Sequence, residues 1–389
     1  MSIKGKAYIA GIFEHPTRRA DSTSTAQLHA EAALGALADA GLGLDDVDGY
    51  FCAADAPGLG PLTMAEYIGL RGLRHVDTTE SGGSAYLLHV SHAAQAIATG
   101  RCDVALITMA DRPLAAAAGT NLAGIDRKTM PNLPFQAAVP PLPMYGYAMV
   151  ARRHMHEFGT TSEQLAWVRV AASHHAQYNP LAVHREVLTV SDVLASPLVA
   201  DPLHRLDCCV LTDGGGALVV VRPEIMRQLQ RPRVKLIGAG EAIKHQDGGH
   251  IDLTWSAGAP SAAKAFSEAG VTPADIRYAS LYDSFTITVI VQLEDLGFCA
   301  KGEGGRFAAE GNLISGIGRL PVNTDGGGLC NNHPGNKGGM TKILEAVRQC
   351  RGEAHPAVQV PQHELVLAHG TGGSLAGSHA AATLILQAE

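Results

Sequence analysis

Charge is scarce in this sequence: 17% of its 389 residues are Asp, Glu, Lys or Arg, against about a quarter in ordinary globular proteins. With 46% hydrophobic residues, the deficit points to extensive internal surface and to a subunit interface, so an oligomer, most simply a homodimer, is expected. Positive charge is scarcer still, with 30 basic against 37 acidic residues and a net charge of -7. No basic block stands out, which argues against nucleic acid as a partner. Long apolar runs are missing as well. The stretch Ala7 to Phe13, preceded by Lys4 and Lys6, is too brief for a secretory core or a membrane span, so a cytoplasmic, non-membrane protein is expected. The seven cysteines are odd in number, include the adjacent pair Cys208 and Cys209, and contain no CxxC spacing. That count excludes a disulfide framework and a cysteine zinc site. Eighteen histidines are present, but the pairs His89/His92 and His174/His175 lack a complementary ligand set nearby, and no metal is expected.

What is present is an alternation of short β-rich apolar runs with alanine-rich helical stretches, the signature of an α/β protein. Ser24 and Gln27 form a capping box before a helix to about Ala40, and Gly41 stands where a left-handed cap is wanted. Leu87, Val90, Ala94 and Ile97 lie at helical spacing ahead of a strand over Val104 to Met109. The series Ala40, Gly41, Leu42, Asp46, Val47 returns as Ala269, Gly270, Val271, Asp275, Ile276, offset by 229 positions. A repeat of that length indicates two similar half-molecules, here 1–228 and 229–389. Residues from about 110 to 179, rich in Pro, Met and His, read as an insertion in the first half. Long insertions often cover a substrate site, and Pro131 to Pro143 is the stretch expected to line it.

The densest signal is the loop Asn323 to Gly339, NTDGGGLCNNHPGNKGG, ahead of a helix from Met340 to Arg351. Glycines let backbone approach a ligand, and amides at a helix start hold developing negative charge. His333 within it is a candidate donor or proton shuttle. Two more glycine-rich turns, Glu80 to Ser84 and His369 to Ser374, are expected at strand–helix junctions around the same site.

The stretches LYDSF (281–285), QLEDLGF (292–298), KGEGG (301–305), the loop 323–339 with EAVRQ (345–349), DCC (207–209), TDGGG (212–216) and RHMHEFG (153–159) together resemble the thiolase superfamily, in its lipid-transfer or sterol-carrier-protein branch. The resemblance spans nearly the whole chain. It implies an α/β thiolase fold, five-layered αβαβα and built from two duplicated halves. Thiolases carry a nucleophilic cysteine where this sequence has Gly83 and Ser84, and a second acid/base cysteine where it has Gly370 beside His369. The family's histidine corresponds to His333, and the residue completing its oxyanion hole corresponds to Tyr282.

A thiolate accepts acyl groups near neutral pH, whereas a serine hydroxyl needs a base within reach. Ser84 is therefore either a nucleophile or a helix cap, and Cys330 either a substitute thiol or a small buried residue. Asp283 is read as an orienting carboxylate or as the cap of a helix over Thr286 to Leu296. Lys337 is a partner for a carboxylate or a CoA phosphate, or else a solvated lysine; Gly82, Gly83 and Gly372 complete the contacts expected for the acyl-CoA. Cysteine-less relatives resemble aldolases that cleave CoA-linked side chains and work with a small zinc-ribbon and OB-fold partner. The expectation is thus an acyl-CoA enzyme making or breaking a carbon–carbon bond through a thioester enolate held by His333, Tyr282 and amides near Gly82 to Ser84. Coenzyme A enters as part of the substrate, with no tightly bound cofactor. The rival reading is a non-catalytic acyl-CoA-binding or scaffold subunit.

Overall fold

The structure, a computed structural model, describes residues 2–114, 143–335 and 337–389. Its strands are β1 (Tyr8–Glu14), β2 (Gly49–Phe51), β3 (His75–Asp77), β4 (Val104–Asp111), β5 (Leu198–Ala200), β6 (Leu203–His204), β7 (Gly214–Val221), β8 (Val234–Lys244), β9 (Tyr278–Leu281), β10 (Leu365–Gly373) and β11 (His379–Ala388). Nine of them form one mixed sheet in the order β3-β2-β4-β7-β1-β8-β11-β10-β9, while β5 and β6 pair separately. The join at β1 and β8 is slight, consisting of Tyr8 opposite Lys235 and Ile9 opposite Val234. On either side of it the sheet behaves as two half-sheets.

The helices are α1 (Thr25–Ala40), α2 (Pro61–Ile68), α3 (Ala85–Ala98), α4 (Pro143–Phe158), α5 (Ser162–Ala176), α6 (Val190–Ala195), α7 (Pro223–Met226), α8 (Gly258–Ala269), α9 (Thr286–Asp295), α10 (Gly304–Ala308), α11 (Gly327–Cys330) and α12 (Gly339–Arg351). Strand alternation sorts them into layers, because successive side chains leave opposite faces of a sheet. Val104 and Leu106 of β4 pack toward α1, whose Ala33, Ala36 and Leu37 share their cluster. Ala105, Ile107 and Met109 face α3 and α12, and these two helices also receive Val366, Ala368 and Leu384 from the other half-sheet. Helices α8 and α9 cover the remaining face with Leu281, Leu367 and Ile385. This is the five-layered αβαβα order expected from the resemblance.

The repeated sequence produces the same local geometry twice. Helix α1 starts on Ser24, whose hydroxyl accepts from the Gln27 amide, and ends on Gly41 at φ 73°; α8 ends on Gly270 at φ 69°. Both glycines adopt the left-handed conformation that other residues avoid. A β-carbon on Gly11 would lie 2.8 Å from Ala40 Cβ, and one on Gly238 would lie 2.8 Å from Ala269 Cβ. The same helix thus lies against the same kind of strand glycine in each half.

Between β4 and β7 the described residues add nothing to the main sheet. Helices α4 and α5 pack instead on α9, α10 and α11 of the second half, through Tyr147, Val150, Leu165 and Val168. Tyr147 stacks on Phe285 with ring centroids 4.3 Å apart. The stretch expected to line the acyl pocket, Pro131 to Pro143, lies outside the described residues apart from Pro143.

Candidate active site

Tyr282 follows the last residue of β9, and its backbone is fixed on every side. Its amide donates to the His369 carbonyl at 3.0 Å, and its carbonyl accepts from Gln292 Nε2 at 2.6 Å. Asn323, itself at φ 54°, binds both peptide groups of Leu281 at 2.8 Å. His333 is held by a chain of buried polar groups. Its amide donates to Thr212 Oγ1 at 3.0 Å, that hydroxyl donates to Asn332 Oδ1 at 2.7 Å, and Asn332 Nδ2 donates to Glu14 Oε1 at 3.0 Å. Burial would raise the pKa of Glu14, but Arg348 and Arg18 hold it down to about 2. Thr212 and Asn332 lie in motifs the sequence displays. Glu14, in β1, carries no local signal that would mark it.

The two rings meet edge to face, 5.3 Å between centroids at 78°. His333 is 4% exposed, and neither ring nitrogen has a hydrogen-bond partner. Glycines make room for it: a β-carbon on Gly328 or Gly338 would lie 2.8 or 2.9 Å from His333 Cδ2. Burial drives the His333 pKa down to about 4, opposed by Asp283 and assisted by Lys342. Burial also raises the Tyr282 phenol well above its ordinary range. Near pH 7 both side chains are therefore neutral, and each has a hydrogen to donate. An unpaired buried ring nitrogen is costly, so the bare His333 ring marks this spot as one suited to a polar ligand atom.

The three glycine-rich segments converge here, though not all as strand–helix turns. Residues 82–84 form a single 3₁₀ turn leading into α3, while the stretch beginning at His369 lies within β10. The HGTGG pattern reads as a turn because glycine is rare in strands. Its glycines instead admit the neighbouring backbone: a β-carbon on Gly82 would lie 3.0 Å from Gly372 Cα, and one on Gly370 3.4 Å from Gly83 O. Gly339, the first residue of α12, also abuts the Gly83 carbonyl.

Other candidates fall elsewhere. His369 points to the opposite face of β10 from Gly370, bonding Thr383 Oγ1 through Nδ1 at 2.8 Å beside Gly258. It does not share the His333 pocket. Ser84 Oγ donates to the Ser81 carbonyl and pairs with Ser81 Oγ, each at 2.9 Å, so it meets no base, and it stands at the N-cap position of α3 without a side-chain cap bond. Cys330 is fully buried in α11, and burial pushes its thiol up to about 11. Asp283 does not cap α9, whose first turn follows Phe285. Its carboxylate instead accepts from the Gly328 and Leu329 amides at 2.8 and 3.1 Å and from Lys342 Nζ at 2.7 Å. Its part is to hold α11 behind His333. Lys337 is not solvated: its Nζ donates to Glu80 Oε2 at 2.7 Å, and Glu80 also accepts from the Ala54 and Gly82 amides. This pair ties the 82–84 turn to the His333 loop. Among the described residues, no cluster of His, Cys, Asp and Glu could hold a metal ion, and no helix is long and apolar enough to cross a membrane.

Comparison with known proteins shows what the chain is similar to. The family described as "Thiolase C-terminal domain-like" matches residues 240–388. A steroid side-chain-cleaving aldolase of Thermomonospora curvata is 37% identical over 365 residues, covering 90% of this chain and 91% of the relative. The 17-hydroxy-3-oxo-4-pregnene-20-carboxyl-CoA lyase of Mycobacterium tuberculosis is 35% identical, covering 96% and 99%. Among solved structures, the Ltp2-ChsH2(DUF35) aldolase superposes with a TM-score of 0.88 at 35% identity, covering 99% of this chain and 98% of that one.

Proposed function

Because this chain belongs to the thiolase superfamily, in its sterol-carrier-protein-2-like branch, and works as an acyl-CoA enzyme on a carbon–carbon bond, we propose that its reaction is a retro-aldol cleavage of a β-hydroxyacyl-CoA. The observation that carries the reading is the neutral, unpartnered His333 set edge-on to Tyr282, beside positions 83 and 370 where no thiol stands.

In this reading the thioester oxygen sits where the His333 N–H and the Tyr282 O–H converge, with the amides of the 82–84 turn nearby. The β-hydroxyl loses its proton, the Cα–Cβ bond breaks, and its electron pair moves onto the thioester as an enolate. Donors fixed in a water-poor pocket stabilise that charge without reorganising, and each is worth about 10²- to 10³-fold in rate. With a pKa of about 4, His333 is a poor base near neutral pH, so its role is donation. No acyl-enzyme forms, because Gly83 and Gly370 carry no side chain and Ser84 has no base.

The same reading takes 1–228 and 229–389 as the two halves, a cytoplasmic homodimer as the working form, and a small DUF35-type zinc-ribbon and OB-fold protein as partner, by analogy with the aldolase above. Strand β3 ends the sheet with Val76 half exposed, and α2 exposes Leu62 and Tyr67. A second copy would cover this apolar edge.

The test is incubation with 17-hydroxy-3-oxo-4-pregnene-20-carboxyl-CoA and simpler β-hydroxyacyl-CoAs, with and without free CoA and partner. Cleavage that consumes no CoA and is lost in His333→Ala supports the reading. Strict dependence on free CoA, or turnover unchanged in His333→Ala, refutes it.

A further inference from the structure

Retro-aldol cleavage needs a group to take the hydroxyl proton, and neither His333 nor Tyr282 is suited to it. We propose that Asp111 is that base, an assignment that rests on the retro-aldol reading. Asp111 is the last residue of β4. By strand alternation it shares the sheet face of Ile107 and Met109, which looks onto the central layer of α3 and α12. The 82–84 turn and the His333 loop lead into the first turns of those two helices. The Asp111 carboxylate therefore stands at the end of the strand where both donor segments gather.

Its contacts set it beside the His333 loop. Asp111 Oδ2 lies directly against Gly335, two residues beyond His333, and a β-carbon there would come within 3.0 Å of Asp111 Cγ. Gly335 adopts φ 56°, a conformation that favours glycine, so the loop is shaped to pass beside the carboxylate. Oδ1 accepts from the Arg112 amide at 2.7 Å. The cation whose charge reaches Asp111 is Lys337, and its ammonium is bonded to Glu80 rather than to Asp111. The side chain is partly exposed. Among the described residues, the charged groups acting on it are Asp55, Asp213 and Lys337, and it in turn raises the Tyr86 phenol. Burial raises its pKa, Asp55 and Asp213 add to this, and Lys337 opposes it, moving the carboxylate toward the range where general bases work.

The step balances without a further reactant. The hydroxyl proton passes to Asp111, the O–H electron pair forms the C=O of the ketone or aldehyde product, and the Cα–Cβ pair forms the enolate. A proton then returns to the enolate carbon and releases the shortened acyl-CoA.

Asp111→Asn and Asp111→Ala would be assayed on 17-hydroxy-3-oxo-4-pregnene-20-carboxyl-CoA, with melting temperature as the folding control. Asp111→Asn should lose about 100-fold in kcat with KM little changed. The acid limb of the wild-type pH–rate profile should vanish with it, and formate should restore part of the Asp111→Ala rate while leaving wild type unaffected. Asp111→Asn within threefold of wild type, or a slowed variant that keeps the acid limb and ignores formate, overturns the assignment. Failure of the wild-type enzyme to cleave overturns the retro-aldol reading itself, and Asp111 as base with it.

Discussion

The ring of Tyr282 occupies the space that a side chain at Gly83 would need. A β-carbon on Gly83 would stand 2.7 Å from Tyr282 Cζ, closer still to Cε2, and 2.5 Å from the Thr371 carbonyl. Real β-carbons do not approach other heavy atoms so closely, and Thr371 is backbone in the middle of a paired strand. If Gly83 stands at the nucleophile's position, as the resemblance implies, that position has no room for a thiol. The ring that fills it meets His333 edge to face.

Gly83→Cys should accordingly fail to create a thiolase. Overpacking of this kind costs about 1–3 kcal/mol, and the strain falls on the Tyr282 ring and on β10. The expected result is a lower melting temperature, reduced cleavage, and no acyl adduct on the intact protein by mass spectrometry after exposure to acetyl-CoA. A stable acyl adduct on the introduced thiol would show that the site remains open to the thiolase route.

Tyr282→Phe separates the phenol from its ring. The ring still fills the space beside Gly83, so folding should be preserved, while the proposed donor to the enolate oxygen is gone. A loss of about 10²- to 10³-fold in kcat is expected, with KM much less affected because the interaction strengthens as charge develops. An unchanged kcat would remove the Tyr282 hydroxyl from the mechanism.

Asp283 and Lys342 are each 1% exposed and 2.7 Å apart. Burial alone would lower the Lys342 pKa, yet Asp283 and Asp325 raise it, so the ammonium depends on the carboxylate beside it. Lys342→Met leaves a buried carboxylate without its cation, at a cost of about 3–5 kcal/mol. The urea midpoint should fall accordingly. Because Asp283 holds the α11 amides behind His333, residual activity should fall below the folded fraction. A midpoint equal to wild type would mean that Asp283 is satisfied by backbone alone.

The fold is legible because its signals are local or periodic. The capping box at Ser24, the left-handed glycines at 41 and 270, and the 229-residue repeat each correspond to a feature of the structure. His333 and Tyr282 are legible through the loop and the LYDSF motif. What stays hidden depends on contacts across the chain. Nothing near Glu14 says that it supports His333 from β1, and nothing near Asp283 distinguishes a cap on α9 from a brace for α11. The HGTGG stretch misleads because glycines that admit a neighbouring backbone look the same in sequence as glycines that turn. Lys337 is ambiguous for a similar reason, since its partner Glu80 is 257 residues away.

Buried histidines should make the protein sensitive to mild acid. Burial lowers the pKa of His89, His175 and His333 to about 4 and of His369 and His379 to about 3. In the unfolded chain each returns to about 6.5. The unfolded state therefore binds more protons below pH 6.5, so stability is full above that value and is lost as pH falls toward the folded pKa. Two groups of residues act in the opposite sense. Carboxyls raised by burial, Asp111, Asp207, Asp295 and Glu345, gain stability as pH falls. His92, raised to about 9 by Asp77 and Glu241, stabilises below 6.5 and loses that contribution as pH rises through 9. A single-site comparison isolates the term: His369 alone should cost about 2 kcal/mol at pH 5 relative to pH 7. The melting temperature of His369→Gln should thus fall less than that of wild type between pH 7 and pH 5. Equal falls in both proteins would show that His369 titrates normally and is not buried as a neutral ring.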